Sequence, residues 1–230
     1  MKFPRLEFLR KSIVARFALI GGRPQITHTM TILHLDSSPR GERSHSRQLT
    51  RAFVQELQHT HQGANVVYRD LGHNPPSHVD ETWIAATYSD PSTHGPDHTA
   101  ALVESEELIA EIMGADLIVV GVPMYNFSIP STLKAYIDQI VRPGRTFTFP
   151  SYDGLVTGKK MFLLQARGGG GYGAGEPMGQ ANYQDTYLRA IFGLIGIKDI
   201  TVVNDEKTMS NESNLDGSIQ EVKQAAHSVA

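Results

Sequence analysis

The sequence predicts an α/β fold, a doubly wound five-stranded parallel sheet in the order 2-1-3-4-5 with helices on both faces. Three observations carry this expectation. From Thr31 onward, short apolar runs alternate with helical periodicities, the rhythm of βαβ units. The run Leu117, Ile118, Val119, Val120 shows no polar alternation, which marks a strand covered on both faces. The segments after the first, third and fourth strands are unlike ordinary connections, as they should be where a ligand sits beyond the carboxyl ends of such a sheet.

Each element follows from its pattern. Residues 31–35 form the first strand. Residues 46–61 form a helix whose buried stripe is Leu49, Phe53 and Leu57, stopped by Gly63. Asn65–Asp70 is the second strand. A second helix over 99–113 aligns Leu102, Ile109 and Met113 and closes at Gly114; residues 116–122 are the central strand. The third helix, 131–141, ends at Pro143 and Gly144. Lys160–Ala166 is the fourth strand, 182–194 a helix with Tyr183, Tyr187 and Ile191 aligned, and 199–203 the fifth strand. A last helix over 218–229 buries Ile219, Val222 and Ala226. The stretch 71–98, with Pro75, Pro76, Pro91 and Pro96, receives no element; one of that length is either functional, as a pocket or dimer contact, or plain surface.

Composition narrows the function. With 230 residues, 40% hydrophobic and 20% charged, the chain supports one sizeable core, and no repeat or composition shift divides residues 30–230. There is no cysteine, so thiolate nucleophiles, disulfides and zinc-thiolate sites are excluded and any redox chemistry belongs to a cofactor. The net charge of -3 hides an uneven distribution: residues 1–30 hold six Lys and Arg against Glu7 alone, leaving 15 basic and 23 acidic side chains in the body. An acidic body argues against nucleic-acid binding. No stretch reaches the roughly 18 consecutive apolar residues of a membrane span. In residues 1–29, Leu6, Leu9, Ile13, Phe17 and Ile20 repeat at helical spacing between cations, which would suit a surface anchor; the plainer reading is a dispensable extension or a misassigned upstream start, with the folded unit beginning at Met30.

Three loops carry chemistry. After strand one, Asp36 to Ser46 form a hydroxyl-rich turn entering a helix amino terminus. Free helix amides, the dipole and serines make an anion site there, aided by Arg40, Arg43 and His45; a helix cap alone would explain any single serine. The loop lacks the lysine and glycine spacing of a nucleoside-triphosphate site, so a monophosphate fits better. After strand three, Pro123-Met124-Tyr125-Asn126-Phe127, closed by Pro130, suits a flat apolar ring with polar edges. After strand four, Arg167 precedes Gly168, Gly169, Gly170 and Gly171, and glycine amides suit the pyrimidine edge of a flavin, where charge gathers on reduction.

With these residues in place, the chain resembles the FMN-dependent NADH-azoreductases, the flavodoxin-like NADH:quinone oxidoreductases. The resemblance runs from Met30 to the C-terminus. It rests on Ser37-Ser38 with Ser44-x-Ser46, on Pro123 to Phe127, on Gly154-Leu155-Val156-Thr157-Gly158-Lys159-Lys160, and on Arg167-Gly168-Gly169. It implies that Ser38, Ser44, His45 and Ser46 hold the FMN phosphate and ribityl chain. It likewise implies that Met124, Tyr125, Asn126, Phe127, Ala166, Arg167, Gly168 and Gly169 hold the ring. Ala166 stands where the family often has serine, and the four-glycine run is richer than the family pattern.

The resemblance further implies a cytoplasmic homodimer that takes a hydride from NADH and passes two electrons to a quinone or azo acceptor in ping-pong order. No catalytic side chain and no metal are required. The competing reading is a flavodoxin-type electron carrier without NADH oxidation. A hydrolase is disfavoured, because no Gly-x-Ser-x-Gly or His-Glu-x-x-His occurs. His94 and His98 have metal-pair spacing, but Gly95 and Pro96 between them favour simple solvent exposure.

Overall fold

In the computed structural model, which describes residues 29–229, the sequence alternation becomes five parallel strands ordered β2-β1-β3-β4-β5. These are β1 (Thr31–Asp36), β2 (Asn65–Asp70), β3 (Leu117–Pro123), β4 (Lys160–Ala166) and β5 (Asp199–Asp205). The expected strand order holds. Period-two alternation divides the core: Leu33, Leu35, Ile118, Val120 and Val122 face one layer, while Ile32, Leu117 and Val119 face the other. Every residue of β3 is buried, as its unbroken apolar run requires. The two readings of the basic extension, residues 1–29, fall but for Thr29 outside the described residues.

One layer holds α3 (Pro96–Gly114), α4 (Ser131–Ile140) and α5 (Tyr183–Leu194); the other holds α1 (His45–Thr60) and α6 (Leu215–His227). The remaining helix, α2 (Glu81–Tyr88), corrects the sequence reading of five helices and lies in the stretch left without an element. Asp80 caps it by accepting from the Trp83 amide at 2.8 Å. Trp83 Nε1 donates to Gln139 Oε1 at 2.8 Å, Gln139 Nε2 donates to the Ser77 carbonyl at 2.9 Å, and Arg142 lies 6.0 Å above the indole. The segment is therefore docked on the end of α4.

Three side-chain placements differ from the periodicity reading. On α3 the inward stripe is Leu102, Ser105, Ile109 and Ile112, and Met113 is exposed. On α5 the buried residues are Gln184, Leu188 and Phe192, one position on from the aligned Tyr183, Tyr187 and Ile191; a glutamine in the stripe disguised it. Gln184 is inward because it holds Arg167. His94 and His98 are half-buried and stack edge to face with centroids 5.4 Å apart; α3 begins only at Pro96, so they share no helix.

Candidate functional site

The carboxyl ends of β1, β3 and β4 open on one cavity of about 160 Å³ at the switch point of the sheet. Ser38, Ser44, His45, Met124, Tyr125, Ala166 and Gly168 of the sequence-derived set line it, together with Arg40 and Pro123. Thr208 and Met209 also line it and were missed by the sequence reading, which did not single out the loop after β5. Ser46, Asn126, Phe127, Arg167 and Gly169 do not line the cavity itself.

The serine loop is fixed from below. Ser37 Oγ donates to the Gly121 carbonyl at 2.7 Å, tying the end of β1 to β3. Ser44 caps α1, accepting from the Arg47 amide, and its hydroxyl lies 3.1 Å from that of Ser46. The first amides of α1 have no intrahelical acceptor and point, with the helix dipole, at the cavity end that Ser44 and His45 line. His45 Nδ1 lies 2.6 Å from Asp205 Oδ2.

Beneath this loop sits Arg47, buried, and not singled out from the sequence because a cation on an amphipathic helix ordinarily faces water. Its Nε donates to the Ser38 carbonyl at 2.8 Å, and one terminal nitrogen donates to Tyr68 at 3.1 Å and to Asp70 at 3.0 Å. Asp36 stands 3.6 Å away and accepts from Thr50 and Tyr68. Burial pushes the Asp70 carboxyl up, but hydrogen bonds from Arg47 and His73 outweigh it and hold the group at about 2. Burial, with Asp36 and Asp70 beside it, pushes the Tyr68 hydroxyl up to about 12, so it stays a donor. Gly72 is part of the same packing: a Cβ there would stand 2.2 Å from the Ser38 carbonyl oxygen.

The second loop is a strained turn. Tyr125 and Ser128 exchange backbone hydrogen bonds at 2.9 and 3.0 Å, and both residues between them, Asn126 and Phe127, have positive φ of 49° and 67°. Such a turn favours Asn followed by Gly; a phenylalanine in the left-handed region costs on the order of 1–3 kcal/mol and marks a site where shape is kept against strain. Tyr125 and Phe127 are exposed.

The third loop is held by Arg167, whose guanidinium turns away from the cavity. It donates to Gln184 at 3.0 Å, Glu206 at 2.9 Å and Gln165 at 2.6 Å, and lies 5.5 Å from the Tyr172 ring centre. The backbone continues the sheet beyond β4: Arg167 N donates to Asp205 O, Lys207 N to Gly169 O and Thr208 N to Arg167 O. This pairing carries Met209 over Gly168, where a Cβ would meet its sulfur at 2.9 Å. The amides of Asn126, Phe127, Gly168 and Gly169 have no acceptor among the described residues. Together with the α1 terminus and its hydroxyls, these donors fit a phosphorylated ring whose polar edges need partners. The sequence motif beginning at Gly154 supports the fold: Val156 is buried and its amide donates to Ile195 O.

Fold and site together define a doubly wound α/β protein with a donor-lined cavity at its switch point, the architecture on which comparison with known proteins bears. A family model described as a flavodoxin-like fold matches residues 30–229. The FMN-dependent NADH:quinone oxidoreductase 2 of Trichormus variabilis is 50% identical over 196 residues, spanning 84% of this chain and 95% of that protein. The FMN-dependent NADH:quinone oxidoreductase of Methylocella silvestris is 41% identical over 202 residues, or 87% and 97% of the two chains. Among solved structures, an FMN-dependent NADH-azoreductase from Bacillus anthracis in complex with FMN covers 88% of this chain and 100% of its own, with a TM-score of 0.79 and 24% identity; that likeness is one of fold. The chain belongs to the FMN-dependent NADH:quinone oxidoreductase family.

Proposed function

We propose that this chain transfers two electrons from NADH to quinones, and to azo compounds as further acceptors, using bound FMN as the carrier. The observation that supports this best is the convergence of the serine loop, Met124 and Tyr125 of the loop after β3, and Gly168 of the glycine loop on one cavity at the switch point. The names carried by relatives that match nearly their whole length support the same activity.

Each group has a task in this reading. Ser38, Ser44, Ser46 and the α1 terminus hold the phosphate, with Arg40 and His45 adding positive field. Met124 and Tyr125 would pack along the ring, while the free amides of Gly168, and of Asn126, Phe127 and Gly169 just outside the cavity lining, would be the donors for its polar edge and for charge gathered there. Arg167 positions the glycine loop through its buried hydrogen bonds. FMN supplies the chemistry itself, taking a hydride and returning two electrons. No side chain has to act as acid or nucleophile. Quinones should therefore give ping-pong initial-rate patterns against NADH, with parallel double-reciprocal lines; intersecting lines would require both substrates to bind together.

The same reading places the protein in the cytoplasm as a homodimer. Among the described residues no helix is long and apolar enough to cross a membrane. Exposed Tyr125 and Phe127 in the loop after β3, and exposed Phe149 and Tyr152 beyond the C-terminal end of α4, are the kind of surface a second copy would cover. Sedimentation velocity at micromolar concentration should show a species of twice the chain mass.

Phe127→Gly tests the strained turn. Removing left-handed strain offsets the flexibility that glycine adds to the unfolded chain, so Tm should move by less than about 4 °C. FMN affinity should nevertheless fall roughly tenfold, because glycine loosens the turn that aims the Asn126 and Phe127 amides. A large fall in Tm with unchanged FMN affinity would make the turn structural only.

A further inference from the structure

We propose that His45 and Asp205 form a dyad that couples FMN binding to proton uptake, with Asp205 the positioning residue. The inference rests on the reading that the phosphate sits at Ser38, Ser44 and Ser46. His45 is the first residue of α1, lines the cavity with Ser38 and Ser44, and keeps its side chain 21% exposed. Its Nδ1 lies 2.6 Å from Asp205 Oδ2, and the Asp205 side chain is 1% exposed. The other carboxylate oxygen accepts from Ser218 Oγ at 3.2 Å, in the first turn of α6, and the backbone of Asp205 accepts from Arg167 N. The carboxylate is thus fixed on both sides and cannot rotate away from the imidazole.

That geometry dictates the tautomer. A carboxylate oxygen at this distance needs a proton on Nδ1, so a neutral His45 ring carries its lone pair on Nε2. A lone pair offers nothing to a phosphate oxygen. Only the doubly protonated ring can bond Asp205 through Nδ1 and a phosphate through Nε2 together. The charged groups of the same loop are Arg40, which lines the cavity, exposed Arg43, and Glu42, which is paired with Arg51. Lys207 and Arg167 of the adjoining loops are paired with Glu212 and Glu206. Seating the phosphate and adding a proton to Nε2 become one event, and riboflavin, with no phosphate, triggers neither.

Calorimetry of FMN binding to the apoprotein at pH 7.5, in two buffers of different ionisation enthalpy, counts the protons taken up. FMN is then largely the dianion, since its second phosphate pKa is about 6. The wild-type protein should take up a substantial fraction of one proton with FMN and none with riboflavin. His45→Gln should abolish the uptake, and Asp205→Asn should at least halve it and weaken FMN about tenfold while leaving riboflavin unchanged. No uptake by the wild type, or equal weakening of FMN and riboflavin by Asp205→Asn, overturns the dyad. If Asp205→Asn fails to fold, His45→Gln decides alone, because unchanged uptake in that variant is equally fatal. Failure of the underlying site reading looks different: Ser44→Ala with Ser46→Ala would then leave the FMN-to-riboflavin affinity ratio untouched.

Discussion

Replacing Ser44 and Ser46 together by alanine should weaken FMN about a hundredfold while riboflavin binding changes by less than threefold. The two hydroxyls lie 3.1 Å apart at the start of α1, where helix amides already favour an anion. Hydrogen bonds to charged groups are each worth about 1.5–3 kcal/mol, so even at the lower end losing two amounts to roughly two decades of affinity. Ser44 also caps the helix through the Arg47 amide, and its loss should lower stability by about 1 kcal/mol. Affinities are therefore to be compared well below the variant's Tm. Equal weakening of FMN and riboflavin would move the phosphate elsewhere.

Arg47→Met should be the most destabilising change at the site, by about 3–5 kcal/mol, because it leaves Asp70 and Asp36 without their buried cation. It should also loosen FMN, since the Ser38 carbonyl loses two donors and the serine loop its floor. Asp70 makes the claim checkable by pH. Its folded-state value of about 2 lies below the unsupported 3.8, so its contribution is fully present above about pH 4 and disappears as pH falls through 2. With allowance for its partly open edge, that contribution is on the order of 1 kcal/mol. Urea unfolding of the wild type should lose stability across this window, and Arg47→Met should lose less there. An unchanged acid slope in the variant would mean that Arg47 does not hold Asp70 ionised.

The sheet was legible because strands and helices alternate strictly and apolar runs such as 117–120 have only one home in an α/β fold, between two helical layers. The cavity's serine and Met124 to Ala166 walls were legible because glycine, proline and serine break periodicity where a ligand approaches. Other features were hidden by the same rules. Helix α2 spans eight residues and turns only Trp83 and Ala86 fully inward, too little for a periodicity to register. Gln184 sits in a buried stripe because it must reach both Arg167 and the Val122 carbonyl, so a polar letter stands where an apolar one was expected. Nothing in the pattern marks Arg47 or Asp205, because each is buried by a partner more than 20 residues away in sequence. Thr208 and Met209 had one usable signal: the loop after the fifth strand leaves the same carboxyl edge as the three that were singled out.

The central claim is that this chain holds FMN and passes electrons through it from NADH to a quinone. Its most direct test is the visible spectrum of the FMN-loaded protein under anaerobic conditions, with NADH added first and a quinone second. Bleaching of the flavin by one equivalent of NADH, then full recovery with one equivalent of quinone, is the result expected. A flavin that stays oxidised with NADH, or reduces but does not recover with quinone, would contradict the account.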